Sequence, residues 1–284
     1  MSKDKRVLTI QDISCVGQCS LTVALPIISA CGFETAVIPS AVLSTHTGGS
    51  FTGYTFRDLT EDIPGIVKHW TASGISFDAL YTGYLGSEKQ IDYVVGMINT
   101  ILSPNAVRIV DPAMADNGRL YTGFDDSFVK KMRELCSVAN IILPNITEAC
   151  LITDTEYMSN GYDEDYILNM MRKLTSLGPD TVVMTGIGYE KDKLGVGVYK
   201  KDSDVIRYHF HERIDRGTHG TGDIYASTFT GAILRGFDEY TSAKIAADYT
   251  LLCIKNTLDD TEHWYGAKFE KALPYLIRSL DVEK

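Results

Sequence analysis

Short apolar segments alternate with longer amphipathic segments along the first two thirds of the chain. The short segments have the length and β-branched content of buried strands. They predict strands at residues 7–10, 35–38, 78–82, 106–110, 140–143 and 181–184. The longer segments repeat apolar residues every three or four positions, which is typical of helices. They predict helices at residues 20–31, 58–73, 90–102, 126–137 and 162–176.

The pattern changes after Gly186. Residues 195–199 and 205–211 alternate as in a β-hairpin, whereas residues 222–235 and 240–256 predict two long helices. Strands that alternate with helices indicate an α/β fold, a three-layer α/β/α sandwich around a mostly parallel sheet. No linker or internal repeat divides the chain, so residues 1–284 are expected to form a single domain. The polar stretch at residues 40–54 is expected to form a small β lid over the sheet edge.

Composition and charge limit the classes of protein to which this chain can belong. Hydrophobic residues make up 44% and charged residues 23% of the chain, as in a typical globular protein. The net charge of −10, without a Lys/Arg run longer than a pair, argues against nucleic acids and anionic membranes as partners. The chain has no run of about 18 apolar residues, so no membrane span is predicted. The six cysteines include no C-x-x-C pair, which favours free thiols and a cytoplasmic location.

Polar residues follow the predicted strands at their carboxyl ends. Open α/β sheets bind their ligands at this edge, because the helices that follow the strands leave a crevice there. The sequence therefore predicts a catalytic crevice lined by these residues. They are Asp12, Tyr84, Asp111, Asn145 and Thr185.

A glycine-rich segment, residues 217–223, opens the first of the two long helices. The backbone N–H groups of Gly220, Thr221 and Gly222 would point at one spot and form an anion hole for phosphate oxygens. The carboxylate of Asp223 would accept the proton of an attacking hydroxyl group. The alternative is a plain helix start, in which Asp223 only favours the helix dipole.

Two carboxylates at strand ends, Asp111 and Glu148, are the candidates for holding Mg²⁺, most simply through water molecules. Asp111 precedes Pro112, which is also typical of a turn. Asn145 and Glu148 have the spacing of a helix capping box, and taken alone the cap is the favoured interpretation. Both roles can coexist. The chain has no G-x-x-x-x-G-K-[ST] segment, so an ordinary P-loop is excluded. It also has no G-x-G-x-x-G segment, which weakens the interpretation as a nicotinamide-dinucleotide site.

Four residues are candidates for the pocket that binds the phosphate acceptor: Asp12, His46, Thr47 and Tyr84. An aromatic ring would stack on Tyr84, while hydroxyl groups and Asp12 would fix the ring substituents. The alternatives are a polar loop for His46 and Thr47 and a half-buried core aromatic for Tyr84.

Together these segments resemble the pyridoxal/pyridoxamine kinase branch of the ribokinase superfamily over nearly the whole chain. The resemblance implies that ATP, with Mg²⁺, phosphorylates the 5′-hydroxymethyl group of pyridoxal, pyridoxamine or pyridoxine. It leaves open whether K⁺ assists, and it implies a homodimer with the lid near the interface. The motifs that carry it are Ile10-Gln11, His46-Thr47-Gly48, residues 82–87, Asp111-Pro112, Pro144-Asn145-x-x-Glu148, residues 178–183 and Gly220-Thr221-Gly222-Asp223.

The resemblance also implies a role for each candidate residue. Asp223 would be the base that activates the 5′-hydroxyl group, beside an anion hole made by Gly220, Thr221 and Gly222. The other implied roles are Mg-ATP binding for Asp111 and Glu148, phosphate contacts for Asn145, Thr185 and Gly186, and ring contacts for His46, Thr47 and Tyr84.

One segment departs from the family pattern. The family often has Gln-Ser-His after the first strand, whereas this chain has Gln11-Asp12-Ile13-Ser14. An Asp at this place would favour a protonated ring or bind an exocyclic amine. The segment also resembles hydroxymethylpyrimidine kinases of thiamine synthesis, which belong to the same superfamily and phosphorylate an aminopyrimidine alcohol. A catalytically silent ligand-binding member is a third alternative, against which the intact Asp223 argues.

Overall fold

The computed structural model describes residues 5–203, 205–214 and 216–282, and the predicted alternation of strands and helices is confirmed there. The strands are β1 (Arg6–Ser14), β2 (Glu34–Leu43), β3 (Phe56–Asp58), β4 (Phe77–Thr82), β5 (Leu102–Val110), β6 (Ala115–Asp116), β7 (Arg119–Leu120), β8 (Ile141–Ile142), β9 (Thr181–Ile187), β10 (Lys193–Lys200) and β11 (Arg207–Glu212). The helices are α1 (Leu21–Ala30), α2 (Ile63–Ala72), α3 (Glu88–Ile101), α4 (Asp126–Ser137), α5 (Ile146–Thr153), α6 (Glu164–Leu177), α7 (Thr221–Arg235), α8 (Glu239–Lys255) and α9 (Leu273–Val282).

The central sheet has the strand order β11-β10-β9-β8-β5-β4-β1-β2-β3. Pairings from β2 through β1, β4, β5 and β8 to β9 are parallel. The strands β3, β10 and β11 add antiparallel pairings at the two edges. The prediction of a mostly parallel sheet is therefore confirmed, and β6 and β7 form a separate small hairpin.

Helices cover both faces of the sheet, because alternate residues of its strands are buried on opposite sides. Leu80 of β4 lies in one core with α2 to α6, whereas its neighbours Ala79 and Tyr81 lie in a second core with α1, α7 and α8. Helix α9 packs against α1, α7 and α8 in a third cluster. The predicted three-layer sandwich is confirmed.

The predicted helix at residues 58–73 begins too early. Residues 56–58 form β3, a 3-10 turn follows at Thr60–Asp62, and α2 begins only at Ile63. The side chain of Asp58 accepts hydrogen bonds from the backbone N–H (2.8 Å) and the hydroxyl of Thr60. These local bonds compete with helical backbone bonds, so the chain turns before the helix starts.

The predicted β lid at residues 40–54 is only partly built of strands. Strand β2 continues through Leu43, and β3 pairs with its end, Leu43 facing Phe56. Residues 44–55 between them contain no strand, but Ser44 and Thr55 close the loop with a backbone hydrogen bond of 3.2 Å. The lid is therefore an irregular loop on a short strand pair.

Helix α9 and the small β6–β7 hairpin had no sequence prediction, and only the capping-box spacing of Asn145 and Glu148 indicated the start of α5. Helix α5 has eight residues, and six of them are buried, so it lacks the polar face that gives a helix its periodic pattern. Cys31, Cys136, Cys150 and Cys253 are buried thiols, whereas Cys15 is exposed. Across the described ranges, every helix is too short or too polar to cross a membrane.

Candidate active site

The strand-end residues predicted to line a crevice lie along one edge of the sheet. Backbone hydrogen bonds join neighbouring strand ends: Gly83 N–H to Ile10 (3.2 Å), Asp111 N–H to Thr82 (3.0 Å), and Thr185 N–H to Pro144 (3.0 Å). Asn145 also bridges to Thr185 in parallel pairing. The fold thus brings the candidates from β1, β4, β5, β8 and β9 to a common edge.

Helix α7 starts at this edge without a side-chain cap. Its N-cap residue is Gly220, with φ of 75° and ψ of 6°, and no described side chain bonds to the free N–H groups of the first turn. A Cβ atom at Gly220 would lie 1.8 Å from the carbonyl oxygen of Gln18. Only glycine fits at this place, and the uncapped N–H groups remain available for an anion.

Asp223 lies in the first turn of α7 and is half-buried. Burial raises its pKa to about 7; the backbone N–H of Ser20 lowers the pKa by a hydrogen bond, and the charge of Asp12 raises it further. A carboxylate that titrates near neutrality is suited to accept a proton from an alcohol and release it later. The geometry and the charge therefore agree with the predicted role as a base.

Asp111 adds a second negative group close to Asp223. Burial raises the pKa of Asp111 well above its usual range, and the charge of Asp223 raises it further. Burial raises the pKa of the Tyr81 hydroxyl, and the charges of Asp111 and Asp223 raise it further. This concentration of negative charge would be relieved by a divalent cation.

Asn145 and Glu148 form a complete capping box at the start of α5. The Asn145 side chain accepts the N–H of Glu148 (2.9 Å), and the Glu148 carboxylate accepts the N–H of Asn145 (2.9 Å). The other Glu148 oxygen accepts the N–H groups of Met114 (3.2 Å) and Ala115 (3.5 Å), which lie at the β6–β7 hairpin. The capping interpretation is therefore observed, while the ATP role of both residues and the metal role of Glu148 stay predictions.

Asp12 and Tyr84, two of the candidates for the acceptor pocket, lie close enough for the charge of Asp12 to act on Tyr84. The Asp12 side chain, in a residue only 5% exposed, accepts a hydrogen bond from the Ser14 hydroxyl (3.0 Å). Burial raises the pKa of Asp12, and it raises that of Tyr84 to about 12 with a contribution from the charge of Asp12. The ring of Tyr84 stacks on Phe124 with centroids 5.6 Å apart.

The lid residues His46 and Thr47 have different surroundings. The Nε2 atom of His46 lies 2.9 Å from the carbonyl oxygen of Tyr265, and Gly48 N–H donates to Nδ1 (3.1 Å). These bonds assign the proton to Nε2, and burial lowers the pKa of the ring. Both nitrogens of His46 bond to backbone groups, and its ring packs against Phe51 and His219 with centroids 4.9 and 4.8 Å away, so its contact with a substrate stays a prediction. Thr47 is exposed, and its part in the pocket stays a prediction.

Thr185 and Gly186 are the remaining candidates. Thr185 lies in β9 next to the start of α5. Gly186 is exposed, with φ of 77°, and a Cβ atom there would meet open space. The open position of Gly186 leaves room for a phosphate group. The phosphate contacts of Thr185 and Gly186 stay predictions.

The loop between β1 and α1, residues 15–20, had no predicted role in the site, although Gln18 of this loop lies against Gly220. The carbonyl oxygen of Gln18 faces Gly220, and the side chain of Gln18 bonds to His263 (2.7 Å) and Glu270 (2.7 Å). Sequence patterns contain no signal for this arrangement, because the contacting residues are separated by about two hundred positions or more.

Comparisons with known proteins agree with this geometry. The model of a family described as phosphomethylpyrimidine kinase matches residues 55–267. The pyridoxal kinase of Arabidopsis thaliana is 28% identical over 266 residues, which cover 90% of this chain and 83% of that protein.

Two solved structures are similar over nearly their whole length. A Bacteroides thetaiotaomicron protein, provisionally named a phosphomethylpyrimidine kinase and crystallised with pyridoxal, is 35% identical with a TM-score of 0.90, covering 96% of each chain. The pyridoxal kinase of Lactobacillus plantarum is 28% identical with a TM-score of 0.88, covering 96% of this chain and 97% of that one. The predicted resemblance is confirmed: the chain is a small-molecule kinase and belongs to the pyridoxal and phosphomethylpyrimidine kinase family of the ribokinase superfamily.

Proposed function

We propose that this protein is a pyridoxal kinase, which transfers the γ-phosphate of ATP to the 5′-hydroxymethyl group of pyridoxal, pyridoxamine or pyridoxine. The observation that carries the proposal is Asp223, a carboxylate with a pKa of about 7 in the first turn of a helix whose start has no side-chain cap. Similarity to the pyridoxal kinases, and to a protein crystallised with pyridoxal, supports the acceptor.

In the proposed reaction, the hydroxyl oxygen of the acceptor forms a bond to the γ-phosphorus, and the bond from that phosphorus to the ADP oxygen breaks. Asp223 takes the hydroxyl proton. The N–H groups of Gly220, Thr221 and Gly222 stabilise the negative charge on the transferring phosphoryl group. Thr185, Gly186 and Asn145 are proposed to contact the ATP phosphates.

The oxygen atoms of Asp111 and Glu148 fit Mg²⁺, which prefers oxygen donors and keeps several waters. Both oxygens of Glu148 already accept backbone N–H groups, so this residue would act through water. Among the described residues, no group of three or more His, Cys, Asp or Glu side chains converges as a metal site. When bound with ATP, Mg²⁺ would neutralise phosphate charge, while Asp111 and Glu148 hold its water molecules. A K⁺ requirement is left to experiment.

Asp12 is proposed to contact the acceptor ring with Tyr84, Thr47 and His46. Its buried carboxylate has hydroxyl donors from serines as its neighbours, so it would favour a protonated ring nitrogen or an exocyclic amine. This observation, and the family model that matches residues 55–267, favour a second candidate. The second candidate is a hydroxymethylpyrimidine kinase acting by the same chemistry.

The test is a substrate panel with Mg-ATP. The protein should convert pyridoxal to pyridoxal phosphate, measured by the absorbance of the product, with formation of one ADP per turnover. When pyridoxal and the aminopyrimidine alcohol compete, the proposal expects the higher kcat/KM for pyridoxal. A preference for the pyrimidine would select the second candidate, and no turnover of either alcohol would support a silent ligand-binding protein.

We extend the proposal to the organisation of the protein, which would be a single domain spanning residues 1–284, a homodimer, and cytoplasmic. Tyr54 and Phe56 at the lid are 41% and 50% exposed, and β3 is an edge strand of the sheet. An exposed apolar edge of this kind is suited to pairing with a second copy. Light scattering coupled to gel filtration should give the mass of two chains.

A further inference from the structure

Arg216 directly precedes the glycine-rich segment and donates hydrogen bonds to four backbone carbonyl oxygens. Its Nη1 atom donates to the carbonyl oxygens of Thr257 (2.5 Å) and Leu258 (2.7 Å). Its Nη2 atom donates to those of Asp260 (2.7 Å) and His263 (3.4 Å). The two terminal nitrogens of a guanidinium carry four N–H groups, so each of these groups meets one oxygen here.

The four carbonyl oxygens belong to the loop after α8, residues 256–268. The end of a helix carries the negative end of its dipole, which favours a cation close by. A guanidinium suits this place because it is planar, always charged and weakly hydrated. Backbone carbonyl oxygens around one point are also the ligands that replace water around K⁺. The side chain of Arg216 therefore lies where a monovalent cation would otherwise have suitable ligands.

Hydrogen bonds connect Arg216 with the start of α7. The Thr218 hydroxyl donates to the carbonyl oxygen of Arg216 (3.3 Å), and the Thr221 hydroxyl donates to the carbonyl oxygen of Thr218 (3.4 Å). Thr221 is the first residue of α7 and one of the three residues of the proposed anion hole. The position of Arg216 therefore influences the direction of the N–H groups in that hole.

The loop after α8 is a firm support for this contact. Thr257 is fully buried, and its hydroxyl donates to the carbonyl oxygen of Cys253 (2.8 Å) and accepts the backbone N–H of Lys268 (2.9 Å). The Lys268 ammonium group forms an ion pair with Asp260. The oxygens that Arg216 contacts are therefore fixed, as the precise placement of a site requires.

We infer that Arg216 is a positioning residue, whose guanidinium acts as a built-in cation that holds the glycine-rich segment on the loop after α8. This role rests on the proposed function, which assigns the anion hole to Gly220, Thr221 and Gly222. Donors aimed at a transferring phosphoryl group act only when they are already in place, and a displacement of about 1 Å can cost about a hundredfold in rate. Because the positive charge belongs to the chain, the rate should not depend on added K⁺.

The test compares Arg216→Ala and Arg216→Lys in the full-length protein with Mg-ATP and pyridoxal. Alanine removes all four bonds and should lower kcat about tenfold to thirtyfold, because the anion hole acts on the transferring phosphoryl group. The acceptor KM should stay within about twofold, because its pocket is formed by other residues. Lysine keeps the charge but has only three N–H groups, so its kcat should lie between those of alanine and the wild type.

The matched control is Arg133→Ala. The Arg133 guanidinium donates to the carbonyl oxygen of Leu151 (3.4 Å) and to the side chain of Asp154 (3.0 Å) at the end of α5. It therefore makes bonds of the same kind outside the glycine-rich segment. Arg133→Ala should lower Tm and leave kcat unchanged.

Added cations distinguish positioning from a general loss of stability. In Arg216→Ala, guanidinium at low millimolar concentration or K⁺ at about 100 mM should raise kcat at least about threefold, because either cation can bind the freed carbonyl oxygens. Neither should change the rate of the wild type or of Arg133→Ala, relative to tetramethylammonium at equal ionic strength. If Arg216→Ala does not fold, the kinetic ratios are taken from Arg216→Lys.

Hydrogen exchange tests the anchoring without a substrate. In Arg216→Ala the backbone N–H groups of residues 217–222 should exchange about tenfold faster than in the wild type, as expected for lost hydrogen bonds to a charged group. In Arg133→Ala their exchange should be unchanged.

A wild-type kcat in Arg216→Ala would overturn the inference, and so would unchanged exchange in residues 217–222. The same holds for a wild type that K⁺ activates as strongly as it activates Arg216→Ala. A wild type that turns over neither alcohol would contradict the proposed function alone, because hydrogen exchange still measures the anchoring. If the wild type prefers the pyrimidine alcohol, the kinetic ratios are measured with that alcohol.

Discussion

Two helices start at the same edge of the sheet with opposite arrangements of hydrogen bonds. At α5 the side chains of Asn145 and Glu148 bond to each other's backbone N–H groups, so the helix start is closed by its own sequence. At α7 the N-cap is Gly220, and no described side chain caps the first turn. A helix N-terminus can bind an anion only where its N–H groups are left free. The comparison therefore favours α7 over α5 as the proposed phosphate site.

The carboxylates of these two helix starts differ in the same way. Glu148 is nearly fully buried, and both its oxygens accept backbone N–H groups. Asp223 is half-buried and has the N–H of Ser20 as a hydrogen-bond donor. Burial raises the pKa of both groups. Both oxygens of Glu148 are thus engaged by backbone N–H groups, whereas Asp223 is partly exposed and can take a proton from a ligand.

The largest expected effect comes from Asp223→Asn. This change removes the base and should lower kcat by at least about a hundredfold, as for a lost general base. The free energy of unfolding should not fall, because burial disfavours the ionised form of the native carboxylate. Steady-state kinetics and chemical denaturation measure the two quantities. The matched control is Asp126→Asn, an exposed acid in the first turn of α4, which should keep the wild-type kcat. An unchanged kcat in Asp223→Asn would contradict the distinction between the two helix starts.

Gly220→Ala should have the next largest effect. The added Cβ would lie 1.8 Å from the carbonyl oxygen of Gln18, so the loop must move and the N–H groups lose their common direction. We expect kcat to fall roughly tenfold to a hundredfold, as when an oxyanion donor is displaced, together with a lower Tm.

Gly236→Ala at the other end of α7 is the control for backbone strain. Gly236 also has a positive φ, of 96°, but a Cβ there would meet open space. This variant should lose about 1–2 kcal/mol of stability without a change in kcat. Equal losses of activity in both variants would show that strain, rather than the anion hole, explains the result.

The pH dependence of kcat/KM tests the electrostatic part of the comparison. Asp223 must be ionised to act as a base, so the rate should rise about tenfold per pH unit below its pKa of about 7 and level off above it. The charge of Asp12 raises this pKa, so Asp12→Asn should move the acid limb to lower pH. An acid limb that Asp12→Asn leaves in place would mean that the two carboxylates do not interact.

The smallest effect is expected from Asn145→Ala. It removes the side-chain cap of α5 and should cost about 1 kcal/mol of stability, measured by urea denaturation. Asp125→Ala, which removes the exposed cap of α4, provides a comparison of the same kind. A large rise in the KM for ATP with unchanged stability would instead show that Asn145 contributes more to nucleotide binding than to the helix cap.

Much of the fold is encoded locally and was predicted from the chain. The period of apolar residues determined most strands and helices, because it records which side of each segment is buried. The prediction failed where local hydrogen bonds competed with the helix, or where burial on most sides left a segment without a periodic apolar pattern. Asp58 starts a turn in place of the predicted helix start, and α5 is buried on most sides.

The features of the candidate site can likewise be separated into those set by neighbouring residues and those set by tertiary contacts. Sequence alone determined the polar residues at the strand ends, the small residues before Asp223 and the spacing of Asn145 and Glu148, because each depends on near neighbours in the chain. Tertiary structure decided the pKa of Asp223 and the capped state of the start of α5. These features depend on burial and on contacts such as Gln18 with Gly220, which exist only after the sheet has brought distant segments together.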